Sequence, residues 1–382
     1  MSTDSSQQRK VRIAVVFGGR SSEHAISCVT AGSVLKVLDP EHYEVLPVGI
    51  STDGRWVLMA AEETEQLAIT AGRLPARIDE TSGALVTMAA DPTARELTVH
   101  EPGSVPKALG EVDVVFPLLH GPYGEDGTLQ GLLELAGVNY VGSGVLSSAV
   151  SMDKVFMKRL LESAGLPVGG YVALRRGEWR QDPESVERKV AGLGYPVFVK
   201  PARAGSSMGI SKVHGPDGLG PAIAQAEQHD PKILVEAMVP GREVEIGVLA
   251  GRAGGPAEAS VPAEITVRGA HEFYDFESKY LDGSTDIRIP ADLTADQEAE
   301  LRALALAAFD ALECEGLARV DFFLSPDPET GAERWIVNEV NTMPGFTPTS
   351  MFPQMWAASG VPYGQLVDRL IADALSRPSG LR

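Results

Sequence analysis

Apolar positions along the chain fall into short continuous runs and alternating stretches, separated by glycine- and proline-bearing turns. The first run, Val11 to Phe17, is apolar except for Arg12 and ends in Gly18-Gly19-Arg20-Ser21-Ser22, after which a helical period continues to Leu38. Such a run predicts a strand buried on both faces of a parallel sheet. A glycine turn leading into a helix presents backbone N–H groups at the carboxyl end of such a sheet, where α/β folds bind ligands. A second strand is predicted over Val112 to Leu119, followed by His120-Gly121-Pro122-Tyr123-Gly124 and a helix to Leu135 closed by Gly137. Between these units, about Ala60 to Pro106, the chain is polar and weakly periodic, which predicts a surface insertion of low functional content.

The pattern changes at Ser151. That residue reads as the N-cap of a helix that stops at Gly165, with Pro167 beyond it. A strand Pro196 to Lys200 and a loop Pro201 to Gly209 follow, then strands Ile233 to Val239 and Glu243 to Leu249 joined by Pro240-Gly241. Ile265 to Pro290 carries aromatics and charges without period, which predicts a functional loop. A helix (Ala299 to Leu312), two strands (Ala318 to Leu324 and Trp335 to Thr342) and a last helix (Gly364 to Ser376) complete the chain. The class is α/β in front and α+β behind.

Composition narrows the function. With 382 residues, the chain is long enough for two or three packed modules. A net charge of −19 argues against nucleic acid or an anionic membrane as partner, because both need a basic face. Two distant cysteines, Cys28 and Cys314, argue against a disulfide framework and for a reducing cytoplasm. MSTDSSQQRK has no apolar core behind it, so residues 1–10 read as a disordered tail and not a signal peptide. No apolar run approaches membrane-spanning length.

The late strands carry the strongest chemical signal. Alternation puts Arg319 and Asp321 on one face of the first, and Glu339 and Asn341 on one face of the second, about 7 Å apart at two strand steps. One such strand alone is more readily a solvated face with surface ion pairs. Two together form an oxygen-rich set of the kind that suits Mg²⁺, which takes one or two carboxylates and fills its shell with phosphates and water. Lys200 ends a strand before a Gly/Ser loop through Ser206 and Ser207, whose backbone and hydroxyls suit phosphate oxygens, although the order is not that of a Walker loop. Lys154, close behind the helix start, adds a second point charge for a polyphosphate. Val235 to Val239 reads either as a core strand or as an apolar wall for a purine, with Glu243 placed for ribose hydroxyls.

These segments together resemble the D-alanine–D-alanine ligases of the ATP-grasp superfamily, from Val11 to Ile371. The matching stretches are Phe17 to Ser27 (FGGRSSEHAIS), Leu119 to Gly131 (LHGPYGEDGTLQG), Ser151 to Lys154 (SMDK), Val199 to Gly209 (VKPARAGSSMG), Phe273 to Tyr280 (FYDFESKY) and Asn338 to Thr347 (NEVNTMPGFT). Six motifs in order are highly specific.

The resemblance implies an ATP-grasp fold behind an N-terminal Rossmann-like parallel-sheet domain. It divides the chain into a substrate-side domain at 11–142, a central subdomain at 143–246 and a C-terminal subdomain at 247–382 with a lid at about 265–290. Lys154, Lys200, Ser206 and Ser207 are implied to take ATP phosphates, Lys279 to bind ATP, Glu236, Ala237 and Val239 to hold adenine, and Glu243 the ribose. Asp321, Glu339 and Asn341 are implied to bind two Mg²⁺, for which Mn²⁺ can substitute. Glu23 and His120 would meet the first D-alanine, and Ser350 with Met351 the carboxylate of the second. Glu23, Ser206 and Tyr280 would latch the lid, while Arg319 and the Gly345 N–H would hold the oxyanion. Ala237 departs from the polar residue common in the family at that place. Implied with these are a cytoplasmic homodimer, with D-alanine and ATP as its small-molecule partners, and a role in peptidoglycan precursor synthesis. The rivals are a D-alanine–D-lactate ligase, another ATP-grasp carboxylate–amine ligase, and a catalytically dead nucleotide-binding module. The presence of Tyr280 favours an amine nucleophile.

Overall fold

A computed structural model describes residues 9–69, 74, 75, 77–79, 81–101, 103–205, 208–267, 285–327 and 329–377. Most of the predicted tail, and the greater part of the predicted lid with Lys279 and Tyr280, lie outside the described residues, as do Ser206 and Ser207. The chain divides into two compact units: 1–119 with 130–142 and 363–381, and 120–129 with 143–362.

Among the described residues, the first unit is built on eight strands: β1 (Val11–Gly18), β2 (Tyr43–Ile50), β3 (Trp56–Leu58), β4 (Ala84–Met88), β5 (Glu96–His100), β6 (Lys107–Glu111), β7 (Val114–Pro117) and β8 (Asn139–Tyr140). They form one sheet in the order β6-β5-β4-β3-β2-β1-β7-β8. β1 pairs in parallel with β2 and β7, so both of its edges are hydrogen-bonded and Ile13 to Phe17 are fully buried, as the apolar run predicts. The helix His24–Leu35 follows the glycine turn. The C-terminal helix, Tyr363–Ser376, buries Leu366, Val367, Leu370, Ile371 and Ala374 at helical spacing. It is tied to this unit by Tyr43 Oη, which donates to Asp368 at 2.9 Å, and by Arg377 donating to the carbonyls of Gly142 and Tyr140 at 3.0 and 3.1 Å.

The segment from Ala60 to Pro106 is not a loose surface insertion. β3 to β6 extend the sheet as an antiparallel run, and Leu67, Ile78, Val86, Leu97 and Val99 are buried by it. Each strand is only three to five residues long with one face wet, so its alternation is too brief to stand out from the surrounding polar sequence.

Among the described residues, the second unit holds two sheets. The smaller contains β9 (Tyr171–Leu174), β10 (Val197–Pro201), β11 (Ser211–Val213) and β12 (Ile233–Ala237), ordered β11-β10-β12-β9. The larger contains β13 (Arg242–Leu249), β14 (Glu258–Ala259), β15 (Ala263–Val267), β16 (Thr285–Arg288), β17 (Leu317–Pro326) and β18 (Glu333–Asn341). Its order is β16-β15-β13-β17-β18, with β14 on β13. β12 and β13, joined by Pro240-Gly241, belong to different sheets and do not form a hairpin. Gly241 has φ +140, and a Cβ there would sit 2.2 Å from the Leu324 carbonyl, so the chain crosses from one sheet to the other where only glycine fits.

The core of the larger sheet gathers Val244, Ile246, Val248, Val320, Phe322 and Trp335 under the helix Ala295–Ala311. Trp335 is fully buried with its ring edge-on to Phe322 at 6.0 Å, and its indole N–H donates to Gln297 O at 3.1 Å. That helix starts earlier than Ala299, because Thr294 and Gln297 form a capping box. At Gly247 an added Cβ would meet Trp356 Nε1 at 2.8 Å and Phe352 at 3.0 Å, so glycine lets the helix Met351–Ala358 lie directly on β13.

Candidate functional site

The helix predicted from Ser151 is two helices, Val145–Met152 and Lys154–Ser163, and Asp153 is the cap of the second. The Asp153 carboxylate accepts from the N–H groups of Val155 and Phe156 at 3.1 and 3.3 Å. Lys232 donates to both of its oxygens at 2.7 Å and sits 4.2 Å over the Phe156 ring. This fixes the start of the helix and therefore Lys154. The Lys154 backbone N–H donates to Ala202 O at 3.0 Å, and its ammonium lies 3.3 Å from both Ala204 O and a Glu339 oxygen. Burial opposes its charge, but Glu339, Glu236 and Glu125 hold its pKa above the ordinary lysine value.

β17 and β18 pair antiparallel with Arg319 opposite Asn341 and Asp321 opposite Glu339. The two carboxylates and the amide therefore stand on neighbouring strands, as alternation predicts. A bulge follows at once between Asp321 and Phe322, which ends this register at the acidic pair. On the other side β13 places Glu245 opposite Asp321, so a row of three acids, Glu245, Asp321 and Glu339, crosses three strands. Glu245 was not among the residues read from the sequence, although its spacing from Glu243 puts both on one face.

Arg319 compensates this row. It donates to both Asp321 oxygens at 2.7 and 2.8 Å and lies 3.1 Å from Glu245. Burial opposes its charge, yet Asp321 and Glu245 hold its pKa well above the usual range. Asn341 Nδ2 donates to the second Asp321 oxygen at 3.0 Å. Among the described residues no three His, Cys, Asp or Glu side chains already converge in a metal-holding group. The all-oxygen donor set of two carboxylates and an adjacent amide nevertheless suits Mg²⁺ once exogenous oxygens are added. Arg319, Asn341 and Lys154 thus meet these acids with hydrogen bonds and ion pairs.

Lys200, at the end of β10, pairs with Glu236 on β12. The second Glu236 oxygen is 2.8 Å from Lys158, a buried lysine that the sequence reading passed over. Beyond Glu236, the N–H groups of Ala237 and Met238 already donate to Gly170 O at 2.9 Å and Pro196 O at 3.2 Å. A purine edge would therefore be read by carbonyls and by Val239, which is half-buried. Glu243 is half-buried on β13, next to Phe323 of β17.

His120 is buried at the start of the segment His120–Leu129, with Nδ1 3.2 Å from Met343 O, so that nitrogen carries the proton. This joins it to the turn containing Gly345, which is followed by Ser350 at the N-cap of the helix Met351–Ala358. Ser350 Oγ accepts from Thr347 N–H at 3.1 Å and bonds the Thr347 hydroxyl at 2.8 Å, and it makes no side-chain cap of its own helix. The hydroxyl thus shapes the turn between Gly345 and Met351.

Glu23 belongs to the first unit, at the N-cap of His24–Leu35, where its side chain makes no cap hydrogen bond. The turn before it is held rigidly. Gly18 has φ +88 and no room for a Cβ, which would lie 2.4 Å from Ile50 O. Ser27 accepts from Gly18 N–H at 2.7 Å and donates to Leu118 O at 2.6 Å. His24 Nδ1 lies 2.7 Å from Gly19 O and its Nε2 is 3.1 Å from Ile78 N, so Nδ1–H donates and Nε2 accepts. That pairing requires neutral imidazole and ties Ile78, from the segment predicted to have low functional content, to the glycine turn.

Burial, joined by Arg77 and opposed by the Gly19 carbonyl, lowers the His24 pKa from its usual value of about 6.5. The folded state therefore binds the proton less readily than the unfolded chain. The His24 contribution is complete above pH ~6.5 and is lost as pH falls from that value toward the lowered folded-state pKa. Thermal melts between pH 7.5 and 5 are expected to show a steeper loss of Tm in the wild type than in His24→Gln. Parallel curves would contradict this tautomer and its role.

Two family profiles match the chain: "D-ala D-ala ligase N-terminus" over residues 12–143 and "D-ala D-ala ligase C-terminus" over 160–372. The D-alanine–D-alanine ligase of Streptomyces griseus is 57% identical over 381 residues, 98% of this chain and 95% of that protein. That of Mycolicibacterium gilvum is 53% identical over 377 residues, 98% of this chain and 99% of the relative. Among solved structures, the VanG D-Ala:D-Ser ligase from Enterococcus faecalis superposes with TM-score 0.81 at 34% identity, covering 96% of this chain and all 100% of that one. The D-alanine-D-alanine ligase from Coxiella burnetii gives 0.77 at 33% identity, with 97% and 95% covered. The ATP-grasp α/β fold implied by the sequence motifs is the fold of these neighbours. Among the described residues no helix is long and apolar enough to cross a membrane.

Proposed function

The chain belongs to the D-alanine–D-alanine ligase family, and from that premise and the site geometry we infer that it joins two D-alanines in an ATP-dependent reaction through a D-alanyl phosphate. ADP and phosphate are the other products, and the dipeptide feeds peptidoglycan precursor synthesis in the cytoplasm. The observation that carries this reading is the placement of Asp321 opposite Glu339, with Lys154 3.3 Å from Glu339. Acids for a divalent ion and a cation for a phosphate chain stand side by side.

In this reading Lys154 and Lys200 exchange their carboxylate partners for nucleotide phosphates. Glu236, Ala237 and Val239 wall the adenine, and Glu243 accepts from the ribose. Asp321, Glu339 and Asn341 hold two Mg²⁺, or Mn²⁺ in its place, which supply the positive charge that lets a carboxylate approach a γ-phosphate. Arg319, fixed between two acids, presents its guanidinium to the oxyanion with the Gly345 N–H. By the sequence motifs, Glu23 takes the ammonium of the first D-alanine and His120 meets the same substrate, and Ser350 with the Met351 N–H takes the carboxylate of the second. Ser206, Ser207, Lys279 and the Tyr280 latch rest on the sequence motifs alone. An acyl phosphate is destroyed by water, so a lid over 265–290 fits the chemistry. The active form is a homodimer.

A second reading has support of its own, because a structural neighbour at 34% identity is a D-Ala:D-Ser ligase. Phosphate release with D-alanine, L-alanine, D-alanine plus D-serine and D-alanine plus D-lactate, with product analysis, separates the cases. Release is expected with D-alanine and not L-alanine, and D-alanyl-D-alanine is expected to dominate every mixture. Predominant D-alanyl-D-serine or a depsipeptide would reassign the second substrate, and no amino-acid-dependent release would leave only a nucleotide-binding module.

A further inference from the structure

Lys158 lies one turn beyond Lys154 on the helix Lys154–Ser163, where a surface lysine would be the ordinary expectation, yet it is only 2% exposed. Its ammonium is 2.8 Å from one Glu236 oxygen and 3.5 Å from Asn338 O, while Lys200 takes the other Glu236 oxygen. One buried carboxylate is therefore shared between two lysines, and the cluster carries one surplus positive charge. Burying charge is costly, and a minimal solution would be one cation for one anion. The surplus makes sense if a further anion arrives.

The two lysines are not equivalent. Lys158 has a side chain 3% exposed and is held between β12 and the backbone of β18. The Lys200 side chain is 16% exposed, stands at the end of β10 before the Pro201–Gly205 loop, and has the Phe198 ring 5.8 Å away as its other neighbour. Lys200 has somewhere to go, and Lys158 does not. Burial alone would raise the Glu236 pKa, but Lys158 and Lys200 together hold it well below the usual carboxylate range.

We propose that Lys158 is a positioning residue: it is the permanent counterion of Glu236, which lets Lys200 leave that carboxylate and turn to a nucleotide phosphate. This rests on the reading of Lys200 as a nucleotide ligand. Without Lys158, Lys200 becomes the sole partner of a buried carboxylate, and every nucleotide that recruits it must strand Glu236 unpaired.

The test uses the Mg²⁺ complex of AMP-PNP and titration calorimetry on the wild type, Lys158→Met, Lys158→Arg, Glu236→Gln and the Lys158→Met/Glu236→Gln pair. Lys158→Met conserves volume and is expected to weaken AMP-PNP binding at least tenfold, with the KM for D-alanine unchanged. Lys158→Arg keeps the charge and is expected to stay within threefold of the wild type. In the Glu236→Gln background, where no carboxylate needs a counterion, Lys158→Met is expected to change binding by less than threefold. A packing defect would carry over undiminished into that background, so a tenfold loss there would overturn the proposal. So would unchanged AMP-PNP binding by Lys158→Met alone. Should Lys158→Met not fold, the comparison in the Glu236→Gln background decides by itself. A wild type that binds AMP-PNP without D-alanine-dependent phosphate release would sink the ligase reading and leave the Lys158 comparison standing.

Discussion

Replacing Glu339 with alanine is expected to lower kcat about 10³-fold or more, because losing a divalent-ion ligand removes several kcal/mol of charge stabilisation from the transition state. The fold should survive. The Glu339 side chain is 26% exposed, and its partner Lys154 also has the Ala204 carbonyl within 3.3 Å. The Lys154 side chain is only 16% exposed, so removing its carboxylate partner is expected to cost about 1–3 kcal/mol and to lower the thermal midpoint by several degrees without unfolding the protein. Steady-state phosphate release and a melting curve on the same preparation check both halves. A folded Glu339→Ala enzyme with kcat within tenfold of the wild type would remove Glu339 from the metal set.

Arg319→Ala is expected to damage stability as well as turnover. Arg319 lies between Asp321 and Glu245, whose side chains are 6% and 2% exposed. Removing it leaves two buried carboxylates without their cation, at a cost of about 3–5 kcal/mol. In a unit of this size that lowers Tm by roughly 10 °C. Arg319→Lys restores a charge but not the two-pronged contact with Asp321, and should recover part of the stability and little of the activity. Calorimetry and phosphate release distinguish these outcomes. An Arg319→Ala protein as stable as the wild type would mean that the acids of the row are not compensated by this guanidinium.

What the sequence revealed, and what it hid, follows from how far each signal reaches along the chain. The buried strand β1 and its glycine turn were legible because a central parallel strand needs apolar side chains on both faces. The Asp321/Glu339 pair was legible because strand alternation is local and both strands are long. The antiparallel strands β3 to β6 were hidden because three to five residues give alternation no room to repeat. The Asp153 cap was obscured by Ser151, an equally good capping type two residues earlier, and only the break between two helices decides between them. Pro240-Gly241 reads from the sequence only as a join between two strands, and its role in crossing between sheets depends on the Leu324 carbonyl some eighty positions away.

Lys158 and Glu245 were passed over for a related reason. On a helix or a strand each looks like an ordinary solvated charge. Their burial comes from partners distant in sequence: Glu236 for the first, and Arg319 for the second. Alternation could have flagged Glu245 beside Glu243, whereas nothing local distinguishes Lys158 from a surface lysine.

The arrangement on which the account depends is the acidic pair on β17 and β18 as the seat of the divalent ions that accompany the nucleotide. Anomalous scattering from Mn²⁺ in crystals grown with ADP tests it most directly. The account predicts metal peaks bonded to the oxygens of Asp321, Glu339 and Asn341. Peaks held by phosphates and other side chains, with Asp321 still locked in its two contacts to Arg319, would contradict it.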